Sequence, residues 1–429
     1  MSFYWQLASL LIIVFYAVLV FNNVKPITAT LIGVVLGFGF NFLTPLQMGN
    51  ILADSLSSFL GLVGLIIMLG RGLGEVLAKT KVSDTLVHRI IYGIGVNTQR
   101  RVKLGVVISS VVIVALLGTL AGGLAILAPI LRPIAAKVEL KRSTLAILMQ
   151  ASGEEALILG PFAPPVVALL GVTGISYSHM LLYAAIPISL VTLTTSWVMA
   201  NFQQRRNEVD NFEEDYDGLA FIPTKQNNFS TLIFVVAFIA CVIYGLVFHA
   251  KTSYIVWVML FLAILTGLSA KLSLTNILEL VVEGMQKNLE IFVVFILLGP
   301  LLDLIQSAGG FSALVKLISP LINHGDKGLL PIIVGVTGAF GMPAAAAAVI
   351  QMLYKMFNPA FTQLNISIYA FAFSMLLATR VTNFAYPGPN MLAAMGFAGS
   401  NNLKAMIRNG LAVTFVQLMF LCIYSLIFS

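Results

Sequence analysis

The chain has 429 residues, 59% of them hydrophobic and 10% charged, with 24 Lys and Arg against 17 Asp and Glu. Its mean hydropathy is +0.99, whereas a soluble domain carries roughly 25% charged residues, so a soluble enzyme, a secreted domain and a nucleic-acid binder are set aside. The net charge of +7 reads as basic loops at a membrane surface, and the long unbroken apolar runs read as helices rather than short alternating strands.

No basic segment precedes the first apolar run, so residues 5–21 read as a retained span and not a cleaved leader. Spans follow at 27–43, 59–78, 180–200, 229–248, 254–270, 291–305 and 410–428, mostly near the ~20 residues that cross a bilayer core. Residues 104–138 are apolar too, but they centre on Gly118, Thr119, Gly122 and Gly123 and carry Pro129 and Pro133, as a re-entrant hairpin would. Residues 145–172 are interrupted at Gly160, Pro161, Pro164 and Pro165. An acidic polar stretch with Glu208, Asp210, Glu213, Glu214, Asp215 and Asp217 then divides the chain. Beyond it, residues 329–356 centre on 335–341 with Pro343, and residues 368–397 are interrupted at Pro387, Gly388 and Pro389. Proline removes an amide donor and clashes with the preceding turn. Open backbone at membrane depth survives only where protein or a wet cavity satisfies it. A plain proline-kinked helix is the alternative.

The second set of interruptions copies the first. Residues 73–90 align with 301–318 and place Glu75 on Asp303; 118–137 align with 336–355 and match Thr119 with Thr337 and Gly123 with Gly341. Residues 163–174 align with 388–399 and match Pro164 with Pro389 and Gly174 with Gly399. Each half then has an odd number of crossings, so the second copy must be inverted. That topology gathers Lys79, Lys81, Arg100, Arg101, Lys141, Arg142, Arg205, Arg206, Lys404 and Arg408 on one side, which the positive-inside rule makes cytoplasmic, with both termini outside. The expected fold is an all-α polytopic membrane protein of two inverted repeats, with about 10 transmembrane helices, two re-entrant helical hairpins and two broken helices. Residues 1–202 form the first repeat, 203–228 a cytoplasmic acidic linker and 229–429 the second repeat.

Inverted repeats with interrupted helices bind substrate and coupling ion at the midplane, where the breaks meet. The hairpin tips (Thr119, Gly122, Gly123, Thr337, Gly341) and the breaks (Ser152, Thr379, Thr382, Asn383, Asn390) are therefore the candidate binding groups. Packing of helices through small residues is the competing account of the glycines. Arg380 stands in an otherwise uncharged segment, and the repeat offset sets Glu155, beside Glu154, opposite it. A buried charge is paired or lines a pathway, and a guanidinium suits a carboxylate. Arg380 is thus a substrate clamp, with Glu155, Glu154 and Asp303 as ion-coupling acids; a purely structural salt bridge is the rival. Arg71 and Glu75 should satisfy each other on one helix, Asp303 lacks such a neighbour, and Arg132 should reach for the cytoplasmic face. Cys241 and Cys422 lie in apolar runs, the histidines have no metal-ligand spacing, and no nucleophile motif or P-loop is present. No catalytic residue, metal or cofactor beyond H+ or Na+ is expected.

The segments "IMLGRGLGEVLAKTKVSDTLV", "GTLAGGLAILAPI" and "PFAPPVVALLGVTGISYSHMLLYAAIPI" resemble the ion transporter superfamily, most closely its gluconate permease branch, with the sodium/proton antiporter branch a near rival. The first break reads "FAPPVVALL" and lacks the His and PGP typical of the gluconate branch, whereas the second, "AYPGPNMLA", keeps a PGP. The resemblance implies paired hairpins and broken helices, elevator or rocking alternating access, and a homodimer. The expected function is secondary transport of a small organic anion coupled to H+ or Na+ in the cytoplasmic membrane. A Na+/H+ antiporter without organic substrate is the first alternative, and a passive channel the second.

Overall fold

The computed structural model describes residues 2–22, 24–206, 208, 210, 212, 221–323, 327–341 and 345–428, with only the backbone described for 318–323. Pro343, His324 and the linker acids 213, 214, 215 and 217 lie outside the described residues. The molecule is all-helical. The first half comprises α1 (Phe3–Ser9), α2 (Leu11–Phe21), α3 (Pro26–Phe40), α4 (Pro45–Asp54), α5 (Phe59–Lys79) and α6 (Val82–Ile94). It continues with α7 (Gln99–Leu117), α8 (Leu120–Lys137), α9 (Arg142–Leu159), α10 (Pro164–Thr173), α11 (Tyr177–Met180) and α12 (Ile186–Arg205). The second half comprises α13 (Lys225–Val247), α14 (Tyr254–Ser269), α15 (Leu274–Gln286), α16 (Leu289–Ser307) and α17 (Gly310–Asn323). Then come α18 (Leu329–Gly341), α19 (Ala346–Gln363), α20 (Ile368–Ala385), α21 (Pro389–Ala398) and α22 (Leu403–Phe428).

Among the described residues, 9 stretches are long and apolar enough to cross a membrane, and α3, α14 and α18 are shorter apolar helices. The expected spans all fall on helices. So do both arms of each hairpin: α7 ends at Gly118, whose left-handed φ of 65° lets the chain reverse into α8. Both broken helices are broken, α9 from α10 and α20 from α21, with Pro164 and Pro389 opening the second piece of each. Proline fits the first helical turn because its missing amide has no partner there anyway.

The sequence reading assigns no element to α4, α6, α15 and α17. These are short amphipathic helices, and their charged faces interrupt the apolar runs it searched for. In α6 the buried residues Val87 and Ile91, and in α15 Ile277, Val281 and Gly284, recur at helical spacing on one face.

The second half repeats the packing of the first. Helix α9 lies on α7 and α12 as α20 lies on α18 and α22. The short arm α10 rests on α19 of the other half, and α21 reciprocally on α8. Helices α12 and α22 meet one another, as do α5 and α16. A second group surrounds α5: α14, α15 and α16 pack on it, and α3 packs on α16. At the α5–α15 crossing a Cβ on Gly72 would lie 2.7 Å from the Val281 carbonyl oxygen, and one on Gly284 2.6 Å from that of Arg71. Small residues bring these two backbones into direct contact.

Candidate functional site

Helices α9 and α20 are the most enclosed elements. Every α9 residue from Ser143 to Ile158 is buried, as is α20 from Ala370 to Val381. A helix covered all round has no lipid or water to satisfy a polar side chain, so each such group must find a protein partner. Arg380 and Glu154, both with side chains 0% exposed, find each other at 2.7 Å.

Glu154 is held by several donors. Arg380 Nη1 donates to its Oε2 and also to its backbone carbonyl, each at 2.7 Å. Asn383 Nδ2 donates to Oε2 and Asn390 Nδ2 to Oε1, again at 2.7 Å. Gln150, one turn earlier on α9, donates to the Asn383 carbonyl at 3.1 Å. Groups from α9, α20 and α21 thus converge on one carboxylate at the two breaks. The repeat offset sets Glu155 opposite Arg380; the structure places Glu154 there instead. Neighbouring helical residues diverge by about 100°, so Glu154 faces α20 and α21 while Glu155 faces α12.

Glu155 accepts a hydrogen bond from Ser189 of α12 at 3.0 Å through Oε2, and its buried Oε1 has no hydrogen-bond partner. One oxygen of a fully enclosed carboxyl is therefore open to a proton or a small cation. The remaining break residues are committed nearer home. Thr379 bonds the Leu376 carbonyl at 2.6 Å and accepts from Arg380 Nε at 3.2 Å. Thr382 bonds the carbonyls of Ala378 and, across to α18, of Ala339. Ser152 bonds the Leu148 carbonyl within its own helix.

The first hairpin tip also brings in Arg71, which the sequence pairs only with Glu75. Arg71 of α5 lies so close to Gly122 that a Cβ there would collide with its guanidinium, and Thr119 crowds the same point. Thr119 precedes α8 without capping it, and its buried hydroxyl is unpartnered. Gly123 is glycine for another reason, since a Cβ would strike Val114 of α7. Glu75 bonds Arg71 at 3.2 Å as expected, but it is shared with Lys287, the residue that follows α15, at 2.9 Å. In the second hairpin, Thr337 and Gly341 lie in the last turns of α18, and the tip beyond them is outside the described residues. Asp303 has no basic neighbour on its own helix and pairs instead with Lys355 of α19. Arg132 is half-buried and reaches toward the basic face: its Nε donates to the Phe397 carbonyl at 2.5 Å, at the C-terminal end of α21, beside the Gly399 carbonyl that Arg142 bonds. Carbonyls there lack intrahelical donors, which is what draws the guanidinium in.

Among the described residues no three His, Cys, Asp or Glu gather as a metal site. A cavity of about 590 Å³ opens between α5, α10, α13 and α14, lined by Phe59, Pro161, Phe162, Cys241 and Tyr254. It adjoins the first break, but neither Glu154 nor Glu155 lines it.

Residues 1–199 match the model of the Na+/H+ antiporter family. Of the two branches that the sequence resembles, the match is to the antiporter one. No curated protein matches the chain. Among solved structures, the YdaH transporter of Alcanivorax borkumensis, described as having an unusual topology, is similar with a TM-score of 0.66 at 15% identity. The alignment covers 94% of this chain and 98% of that one, so the two share a fold. The chain is a polytopic helical membrane protein with a transporter's fold.

Proposed function

We propose that the protein is a secondary transporter that exchanges Na+ for H+ by alternating access, with Glu155 as the carboxyl that takes proton and cation in turn. The observation that carries this reading is the division of labour between adjacent acids. Glu154 is saturated by Arg380, Asn383 and Asn390, whereas Glu155 keeps one buried oxygen unpartnered. Arg380 Nη1 is committed to Glu154, so a substrate carboxylate would meet only the Nη2 that is left unpartnered, and the guanidinium serves better to hold the two breaks together than as a clamp. The family match of the first half supports the same choice.

The exchange of packing partners between halves supports an inverted pair with its axis between α12 and α22, the arrangement that lets one site face either side in turn. The face with Lys141, Arg206 and Arg408 is then cytoplasmic and both termini are outside. The test is proton movement in proteoliposomes, followed with a pH-sensitive dye. Glu155→Gln should abolish proton movement driven by a Na+ gradient, and Glu155→Asp should retain part of it. Exchange by Glu155→Gln at the unaltered rate would overturn the assignment.

Transport of a small organic anion is the second reading, favoured by one observation: Arg71 and the uncapped start of α8 meet at the first hairpin tip. Backbone amides at a helix start and a guanidinium suit a carboxylate. In that case Arg71→Ala would lose carboxylate-dependent flux.

A further inference from the structure

The α12 stripe Ser189, Thr192, Ser196 and Gln203 recurs at helical spacing, and all four residues are buried. It faces α9 and α22. Two bonds set the register of α12 against α22. Gln417 donates to Thr192 at 2.7 Å, and Arg408 donates to Gln203 at 2.9 Å. The helices are antiparallel in this register, which brings Asn409 level with the turn of α12 between Ser196 and Gln203. Gln203 in turn bonds Ser143 at 3.1 Å and Glu208 at 2.9 Å, at the partly exposed basic end of the bundle.

This interface holds polar atoms that find no protein partner: Glu155 Oε1, Gln417 Oε1, Ser196 Oγ and both side-chain amide atoms of Asn409, all buried. Native proteins rarely leave such atoms unpaired, and enclosed water is their usual partner. The spacing suits water as well. Groups one helical turn apart are separated by about 5.4 Å, and a water bonded to both spans roughly twice 2.8 Å. Neither helix carries a charged residue along this stretch, α12 from Ser189 to Gln203 or α22 from Asn409 to Ser425. The charged groups beside Glu155 are Glu154 and Arg380, which bind each other.

We propose that the α9–α12–α22 interface holds a chain of water molecules, ordered by Ser189, Thr192, Gln417, Ser196 and Asn409, that carries protons between Glu155 and the basic face at Gln203. The step is proton transfer alone. A proton enters from bulk water at the Gln203 end, each water passes one on, and the carboxylate of Glu155 accepts the last; release reverses the order. This rests on Glu155 being the coupling carboxyl.

The test compares Ser196→Val and Asn409→Leu with the unaltered protein in proteoliposomes, reading dye-reported proton flux against Na+ concentration. Both substitutions should slow proton flux by about tenfold or more without moving the Na+ concentration that gives half the maximal rate. Groups that merely bind helix to helix would instead lower stability and leave the rate per folded molecule unchanged. Proton flux within twofold of the unaltered protein in both variants would overturn the route, and Glu155 would keep its role if Glu155→Gln is still inactive. Exchange that survives Glu155→Gln would overturn the parent reading instead. Should either variant fail to assemble, Ser196→Cys with Cys241 and Cys422 replaced by Ala gives an independent readout. A small hydrophilic thiol reagent should modify it rapidly in a hydrated interface, and a thiol left unreacted in the folded protein would refute the water chain.

Discussion

The pair Arg380–Glu154 shows how a single charge in an apolar segment controls its surroundings. With both side chains at 0% exposure, neither ion has water to fall back on, and each of the Asn383 and Asn390 amides is spent on the same carboxylate. Removing one partner of a buried pair typically costs about 3–5 kcal/mol because the other charge is left uncompensated, whereas replacing both by apolar groups costs much less. Arg380→Ala should therefore lower the thermal midpoint of the detergent-solubilised protein sharply, and Arg380→Met combined with Glu154→Leu should recover much of the loss. A double variant no more stable than Arg380→Ala would show that the pair is not what holds these helices. The importance of Arg380 is legible in the sequence, since a lone arginine among apolar residues must be paired. The identity of its partner is not. Repeat alignment matches positions along the axis, and the turn of one residue that separates Glu154 from Glu155 decides which of them faces α20.

The start of helix α9 lies against the first residues of the connection between the halves. Asp210 accepts from the Ser143 amide at 2.7 Å through its side chain and from the Arg142 amide at 2.9 Å through its carbonyl, so it caps a helix from outside that helix. Ser400, between α21 and α22, adds a bond to the same carboxylate. Loss of such a cap costs about 1 kcal/mol, and Asp210→Ala should lower the thermal midpoint accordingly. Beside it, Glu208 accepts from Gln203 at 2.9 Å, from Asn402 at 2.7 Å and from Arg408 at 3.1 Å. The hydrogen bonds from Gln203 and Asn402 hold its carboxyl below the ordinary carboxylate range. In the unfolded chain the same group binds its proton at higher pH. Its stabilising contribution is thus complete above the ordinary value of 4.5 and lost as pH falls through the depressed one. Thermal unfolding followed from neutral to acidic pH should show a smaller acid-induced loss for Glu208→Gln than for the unaltered protein. These contacts are invisible in the sequence, where the stretch reads only as acidic and solvated. The long helices are legible because a run of apolar residues declares itself. The amphipathic ones are not, because their buried face is too narrow to stand out from the charges beside it.

In the whole molecule the two halves are interlocked: α10 of the first rests on α19 of the second, and α21 on α8. The turn that follows each break is therefore covered by the hairpin of the other copy. Residues 1–212 and 221–429, expressed together as separate chains, should assemble and co-purify, while either alone should aggregate or be degraded. Recovery of a stable monodisperse half by itself would contradict the interlock. The likeness of the halves is legible from shared Pro, Gly and Thr positions, whereas the crossing of arms between them is a three-dimensional fact with no trace in spacing.

The backbone contact between Gly72 and Gly284 has a mechanical consequence. With no side chain on either glycine there, no change of rotamer can let α5 slide over α15, so the two behave as a welded joint. Any displacement of α9, α12, α20 and α22 relative to that frame would have to be absorbed where the chain passes from one group to the other: at α6, at α17 and in the connection between α12 and α13.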